Sequence, residues 1–162
     1  MASRRAPVLI DAPLLDRVVA QARTSPRGRR NFNLHPADDH PAHRLLNAIE
    51  PGSYIAPHRH LDPAKDESIL VVRGSVAIAF FDDEGRETSR QVLAAGGETI
   101  GVDVPHGAFH ALWALEPGTV FFEAKAGPYR PLEPAERATW APAEGSPEAQ
   151  EWLSRLAAGG RG

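Results

Sequence analysis

A chain of 162 residues with 42% hydrophobic and 24% charged residues has the make-up of one globular domain with its own core plus peripheral segments. The formal net charge of −3 leaves no electrostatic footprint for nucleic acid, and no run is long or apolar enough to span a membrane as a helix. Cysteine is absent, which excludes disulfides and thiolate metal sites, so any metal must be held by His, Asp or Glu.

Ser3-Arg4-Arg5 resembles a twin-arginine signal, but Asp11 and Pro13 interrupt Val8-Leu9-Ile10 at once. That leaves no apolar export segment, and a cytoplasmic protein is expected. Leu14, Leu15, Val18, Val19 and Ala22 recur at helical spacing behind Pro13, which predicts a helix over 13–22 ended by Ser25-Pro26-Arg27-Gly28. Arg27, Arg29 and Arg30 form a basic cluster read as a solvated turn, able to steer an acidic ligand if it folds over a barrel mouth. Residues 31–43 are polar, and His35, His40 and His43 lack paired spacing, so they are read as surface residues.

From Arg44 the texture is β. The 14 glycines and 15 prolines suit short strands joined by turns. Segments 44–50, 67–73, 76–82, 86–94, 98–104, 110–115 and 119–125 read as strands, punctuated by Gly74, Asp83-Glu84-Gly85, Gly96-Gly97 and Pro105. Pro51-Gly52 and Pro117-Gly118 each suit a type II turn, whose third residue needs positive φ. The octets 47–54 and 113–120 share A-[IL]-E-P-G-[ST], one turn solution used twice within a sheet. Phe80, Phe81, Phe121 and Phe122 are read as packing residues. Near the C-terminus, Ser146-Pro147-Glu148 predicts a helix start, with Trp152, Leu153 and Leu156 on one face and Gly159-Gly160 as the stop. The expected organisation is an arm and helix over 1–30, a β-barrel domain over 31–131, and a Pro/Ala-rich arm with a helix over 132–162.

The chemistry gathers around Pro57-His58-Arg59-His60. On an extended strand, residues two apart face the same way, so His58 and His60 present two imidazoles to one side. Neutral imidazole is the commonest nitrogen ligand for transition metals. Glu67 opens an apolar strand and can add a carboxylate, with Asp62 and Asp66 as rivals. Glu67 is preferred because Ile69 and Val71 share its strand face. Pro105-His106-Gly107-Ala108-Phe109-His110 supplies further histidines. The flanking Pro105 and Gly107 argue for a turn there, which sends His110 inward and leaves His106 for the mouth as a proton carrier.

The set G-x5-H-x-H…E-x6-G followed by P-x-G-x-x-H resembles the paired motifs of the cupin superfamily. That likeness implies a small jelly-roll β-barrel holding one divalent transition metal (iron, zinc, manganese or nickel; cobalt is also compatible) through His58, His60, Glu67 and His110. More narrowly, residues 31–35, 44–52, 57–60, 65–67, 81–85 and 123–129 resemble the WbuC family of cupin-fold metalloproteins, linked to surface-polysaccharide biosynthesis. Two departures stand out: six residues separate H-x-H from Glu67, and Ala114 stands where the second motif usually carries asparagine. The resemblance implies a metal-dependent enzyme acting on a sugar or sugar-nucleotide, by isomerisation or epimerisation. A non-haem iron dioxygenase and a non-catalytic sugar- or metabolite-binding module are the alternatives. Tyr129, Lys125, Lys65, Arg44 and His106 are the candidate substrate contacts. A small-molecule partner, a homodimer and no membrane or nucleic-acid partner complete the expectation.

Overall fold

The structure, a computed structural model, describes residues 5–159; Ser3 and Arg4 of the signal-like triplet and Gly160 of the helix stop lie outside them. Helix α1 (Ala12–Thr24) begins where the Asp11 side chain accepts the Leu14 N–H at 3.0 Å. All five of its periodic apolar residues are buried. Eight strands follow: β1 (Arg29–Asn33), β2 (Ala42–Ile49), β3 (Glu67–Arg73), β4 (Ser75–Phe81), β5 (Glu87–Ala94), β6 (Gly101–Val104), β7 (Phe109–Ala114) and β8 (Thr119–Ala126). A 3-10 turn at Pro134–Glu136 and helix α2 (Ala149–Ala158) complete the described chain.

The strands form two antiparallel sheets of jelly-roll type, a five-stranded one ordered β1-β2-β8-β3-β6 and a three-stranded one ordered β5-β4-β7. The mostly β fold with a helix at each end agrees with the sequence reading, but the two sheets do not close into the expected barrel. Between the sheets, Ile49, Ile69, Val71, Ile78, Leu112 and Phe121 belong to one core. Alternation along β3 is strict, with Glu67, Ile69 and Val71 buried and Ser68, Leu70 and Val72 exposed. Helix α1 covers the outer face of the larger sheet, packing on Leu46, Ala48 and Val120. Helix α2 and the segment before it cover the outer face of the smaller sheet, where Phe81, Phe109 and Trp113 meet Trp140 and Trp152. Strand β4 is therefore covered on both faces, which is why residues 76–81 read as an unbroken apolar run.

The two Pro-Gly turns sit at the same end of the larger sheet, because Ile49 pairs with Thr119 across β2 and β8. Gly52 and Gly118 have φ of 86° and 71°, as the turn type requires. Glu50 ties them together, accepting from Arg23 Nε at 3.0 Å and from Gly118 N at 3.1 Å.

Four details depart from the sequence reading. Residues 29–33 form a strand rather than a turn and polar stretch. His35 and His43 are buried, their rings stacked at 4.0 Å, and His35 Nδ1 lies 3.0 Å from Arg44 O. The short β1 lacks an apolar alternation to betray it, and the pair's burial follows from that strand's return to β2. The last strand of the 98–104 segment begins only at Gly101. Helix α2 starts at Ala149 behind Glu148, and no cap is made by Ser146, whose hydroxyl has no partner among the described residues.

Leu46 is fully buried between α1 and the sheet. Leu46→Ala is expected to cost about 2–4 kcal/mol of unfolding free energy. Leu70→Ala, at a position 44% exposed, is expected to change it by no more than about 0.5 kcal/mol. Urea titrations of the two variants check both values.

Candidate metal centre

The H-x-H segment is extended but does not belong to a full strand. His58 makes an isolated bridge to His110 of β7 on one side and to Arg137 on the other. The alternation expected of an extended chain still holds. His58 and His60 turn their rings the same way, with centroids 5.5 Å apart. Arg59 turns outward, stacking over the Phe109 ring at 4.2 Å and pairing with Asp83 at 2.8 Å.

His58, His60 and Glu67 bring one ligand atom each within 4.8 Å of one another. His110 joins them: its Nε2 lies 3.6 Å from Glu67 Oε2, and its ring centroid is 4.7 Å from that of His58. His60 Nε2 stands 3.5 Å from the same Glu67 oxygen. These separations are too long for good hydrogen bonds. Correspondingly, His60 Nε2 and Glu67 Oε2 are buried without a partner among the described residues. Buried polar atoms left unpaired are costly, and a cation between them would satisfy both. His58 and His110 are pre-oriented for that role. Each donates Nδ1–H to a carbonyl two residues earlier, Ala56 O and Ala108 O, both at 3.0 Å, which leaves Nε2 as the inward lone pair. The donor set of imidazoles and one carboxylate suits a divalent transition metal.

The rival carboxylates point elsewhere. Asp66 accepts from both the main-chain N–H and the ring Nδ1 of His106, each at 2.8 Å. This pair is largely exposed and lines neither of the cavities described below. Asp62 caps its own turn, accepting from Ala64 N at 2.9 Å.

Pairing of β3 with β8 sets the rest of the site. Glu67 faces Lys125 and Ile69 faces Glu123 across the ladder, so Glu123 and Lys125 look into the same interior. Lys125 Nζ lies 2.6 Å from Glu123 Oε1 and 3.5 Å from Glu67 Oε1. Asn47 of β2 donates to Glu123 Oε2 at 2.9 Å. An inner cavity of about 160 Å³ and an outer one of about 350 Å³ meet here, sharing Arg29, Asn47, Ile55, His58, Glu123 and Lys125. Lys65, Tyr129 and His60 line the outer cavity. Arg44 does not, because it alternates onto the outer face of β2 with Leu46 and Ala48, and its side chain is exposed. Gly127 is what lets the chain leave β8 so close to the mouth: a Cβ there would strike the His43 ring and His40 O.

Sequence reasoning overlooked Glu123, and it placed Arg29 in a basic cluster read as a solvated turn, whereas Arg29 lines both cavities. Glu123 shares the strand face of Lys125 and Phe121, a signal legible once Lys125 is placed inward. Arg29 is held by Glu144 at 2.6 Å and donates to Tyr54 O at 3.0 Å. Both partners are distant in sequence.

The electrostatics divide the site into distinct charge states. Burial drives the His58 pKa down to about 3, with His110 adding to the effect, so this ring is neutral. Burial also opposes ionisation of Glu67, but the imidazoles of His110 and His60 and the Lys125 ammonium outweigh it and hold the carboxyl well below its usual range. Burial pushes Glu123 up to about 7, with the Glu67 charge acting in the same direction and Lys125 against it. Lys125 is held above the usual lysine range because Glu123 and Glu67 overcome its desolvation.

His58 titrates near 3 in the folded chain and near 6.5 when unfolded. The folded state thus binds fewer protons between those values, and the stability that His58 contributes is full above pH 6.5 and lost as pH falls toward 3. His110 and Glu123, both raised, pull the other way. Denaturation of chelator-treated protein between pH 6.5 and 4 is therefore expected to show wild type losing up to about 3 kcal/mol more than His58→Gln.

Among known proteins, a family profile described as "Domain of unknown function (DUF6016)" matches residues 10–93, just over half the chain. No curated protein matches. Among solved structures, the chain is similar to KdgF from Halomonas sp., at 20% identity and TM-score 0.50, over 66% of this chain and 85% of that one. It is also similar to a cupin-2 domain containing protein from Shewanella frigidimarina, at 21% identity and TM-score 0.46, over 60% of this chain and 80% of that one. Oxalate decarboxylase from Bacillus subtilis shares 20% identity at TM-score 0.48, over 63% of this chain but 25% of its own. Likeness at these identities is one of fold alone, and the profile names DUF6016 rather than the WbuC family that the sequence segments resemble. The matched segment runs from α1 into β5 and takes in His58, His60 and Glu67, and on that match the chain belongs to the DUF6016 family.

Proposed function

We propose that this protein is a metal-dependent enzyme that moves a proton on a small oxygen-rich substrate, as an isomerase or epimerase does. The observation that carries the reading is Glu123: a buried carboxyl outside the ligand cluster, facing the shared cavity and hydrogen-bonded by Lys125 and Asn47, with burial raising it above the ordinary carboxylate range. A general acid or base works best when its pKa lies near the operating pH.

His58, His60, Glu67 and His110 would hold the metal, which supplies Lewis acidity toward a substrate carbonyl or hydroxyl oxygen. Glu123 takes or returns the proton. Lys125, 2.6 Å from it, stabilises its ionised form, and Asn47 fixes the carboxylate plane. Lys65 and Tyr129 at the outer cavity are the contacts for the substrate's polar periphery. The cavity speaks against a sealed structural metal, because an enzyme site keeps an open position and room beside it. A sugar or sugar-nucleotide, and with it a place in cytoplasmic polysaccharide biosynthesis, is the class the WbuC-like resemblance suggests.

Elemental analysis of tag-free protein purified without chelators is expected to find about one metal per chain, lost in a His58→Ala/His60→Ala variant that keeps its circular dichroism. Absence of metal from wild type even after reconstitution would sink the reading. With metal present, NMR of candidate sugars in D2O is expected to reveal exchange of a carbon-bound hydrogen. Glu123→Gln should slow that exchange by about 10²–10⁴-fold without loss of metal. Bound iron with oxygen uptake would instead favour the dioxygenase, and ligand binding without exchange the binding module.

A further inference from the structure

Of the three histidines, His60 alone has no hydrogen bond to Nδ1 among the described residues. The rings of His58 and His110 are aimed by their own carbonyl contacts, whereas the aim of His60 has to come from its main chain. That main chain is clamped from both sides. Its carbonyl accepts from Gly107 N at 2.6 Å. Its two neighbours are both held by Glu136 of the C-terminal segment. Arg59 N donates to Glu136 O at 2.9 Å, and Leu61 N donates to Glu136 Oε1 at 2.8 Å. The other carboxylate oxygen accepts from Glu133 N at 2.9 Å, which locks the side chain within its 3-10 turn.

From this we infer that Glu136 is the positioning residue of His60, and that the C-terminal strap is part of the metal centre although it supplies no ligand. The inference rests on the metal reading above. Main-chain donors on Leu61 and Glu133 keep the Glu136 carboxyl below its usual pKa range, so the clamp is charged at neutral pH. Two residues further, Ala138 N donates to Pro57 O at 3.2 Å, so the strap runs alongside the whole H-x-H segment. Loss of the Glu136 carboxylate frees the Leu61 N–H, loosens the peptide on the C-terminal side of His60, and lets its ring leave the position in which Nε2 faces Glu67. Partners that orient a ligand without touching the metal are worth about 10–100-fold in metal affinity.

The test is a Co2+ titration of wild type, Glu136→Ala and Glu136→Gln, well below the melting temperature of each, read by competition with a coloured chelator and by the visible cobalt spectrum. Glu136→Ala is expected to bind about 10–100-fold more weakly, with a spectrum altered as one imidazole is lost or misplaced. Glu136→Gln, whose amide oxygen still accepts the Leu61 N–H, should recover most of the affinity and the wild-type spectrum. Hydrogen exchange of the metal-free proteins adds a readout that needs no ion: the Leu61 amide should exchange faster in Glu136→Ala while the β7 amides do not. An alanine variant that is merely less stable, with wild-type affinity, spectrum and Leu61 exchange, would overturn the positioning role and leave the metal centre standing. A wild-type chain that takes up no Co2+ would overturn both.

Discussion

A reciprocal pair of main-chain hydrogen bonds, His58 N–H to His110 O at 3.1 Å and His110 N–H to His58 O at 3.0 Å, joins two histidine segments that are far apart in sequence. Everything else about the centre follows from that junction. It fixes the H-x-H loop, which belongs to no full strand, along the free edge of β7. It places the two Nε2 atoms on the side where β3 offers Glu67. The price is a loop with no strand partner over most of its length, and the C-terminal segment meets that need.

The ladder between β3 and β8 supplies the second organising constraint. Because side chains alternate with a period of two, pairing Glu67 with Lys125 puts Glu123 on the same interior face. A lysine is thereby set between two carboxylates in a poorly solvated space. Removing Lys125 would leave two buried carboxylates without the cation they share. Glu67 is kept ionised and ready to ligate, while Glu123 keeps a proton within reach. Two glutamates in one cavity are assigned opposite tendencies by their neighbours alone.

Much of this was legible in the sequence, for identifiable reasons. Helix α1 and strand β3 carry clean periodicities, 3.6 and 2, and their buried residues fall where those periods put them. The Pro-Gly turns declare themselves through the positive φ that only glycine takes cheaply. His58, His60 and Glu67 come together as their alternation implies. Glu123, the inward placement of Arg29, the burial of His35 and the contacts of Glu136 were hidden. Glu123 needs the β3–β8 register, Arg29 needs a strand without apolar alternation, and His35 stacks on His43 across a connection. Glu136 acts on main-chain atoms 75 residues away, and such contacts leave no residue pattern. Arg44 failed as a cavity residue for the simplest reason, a one-residue shift along β2 that sends it to the opposite face.

The seating of His58 between residues 110 and 137 has a consequence for the order of assembly. Neither bridge can form until large chain loops have closed, and contacts of that separation form late and slowly. Should the four side chains hold an ion together, the complete ligand set would be offered only by a chain whose two sheets have already met.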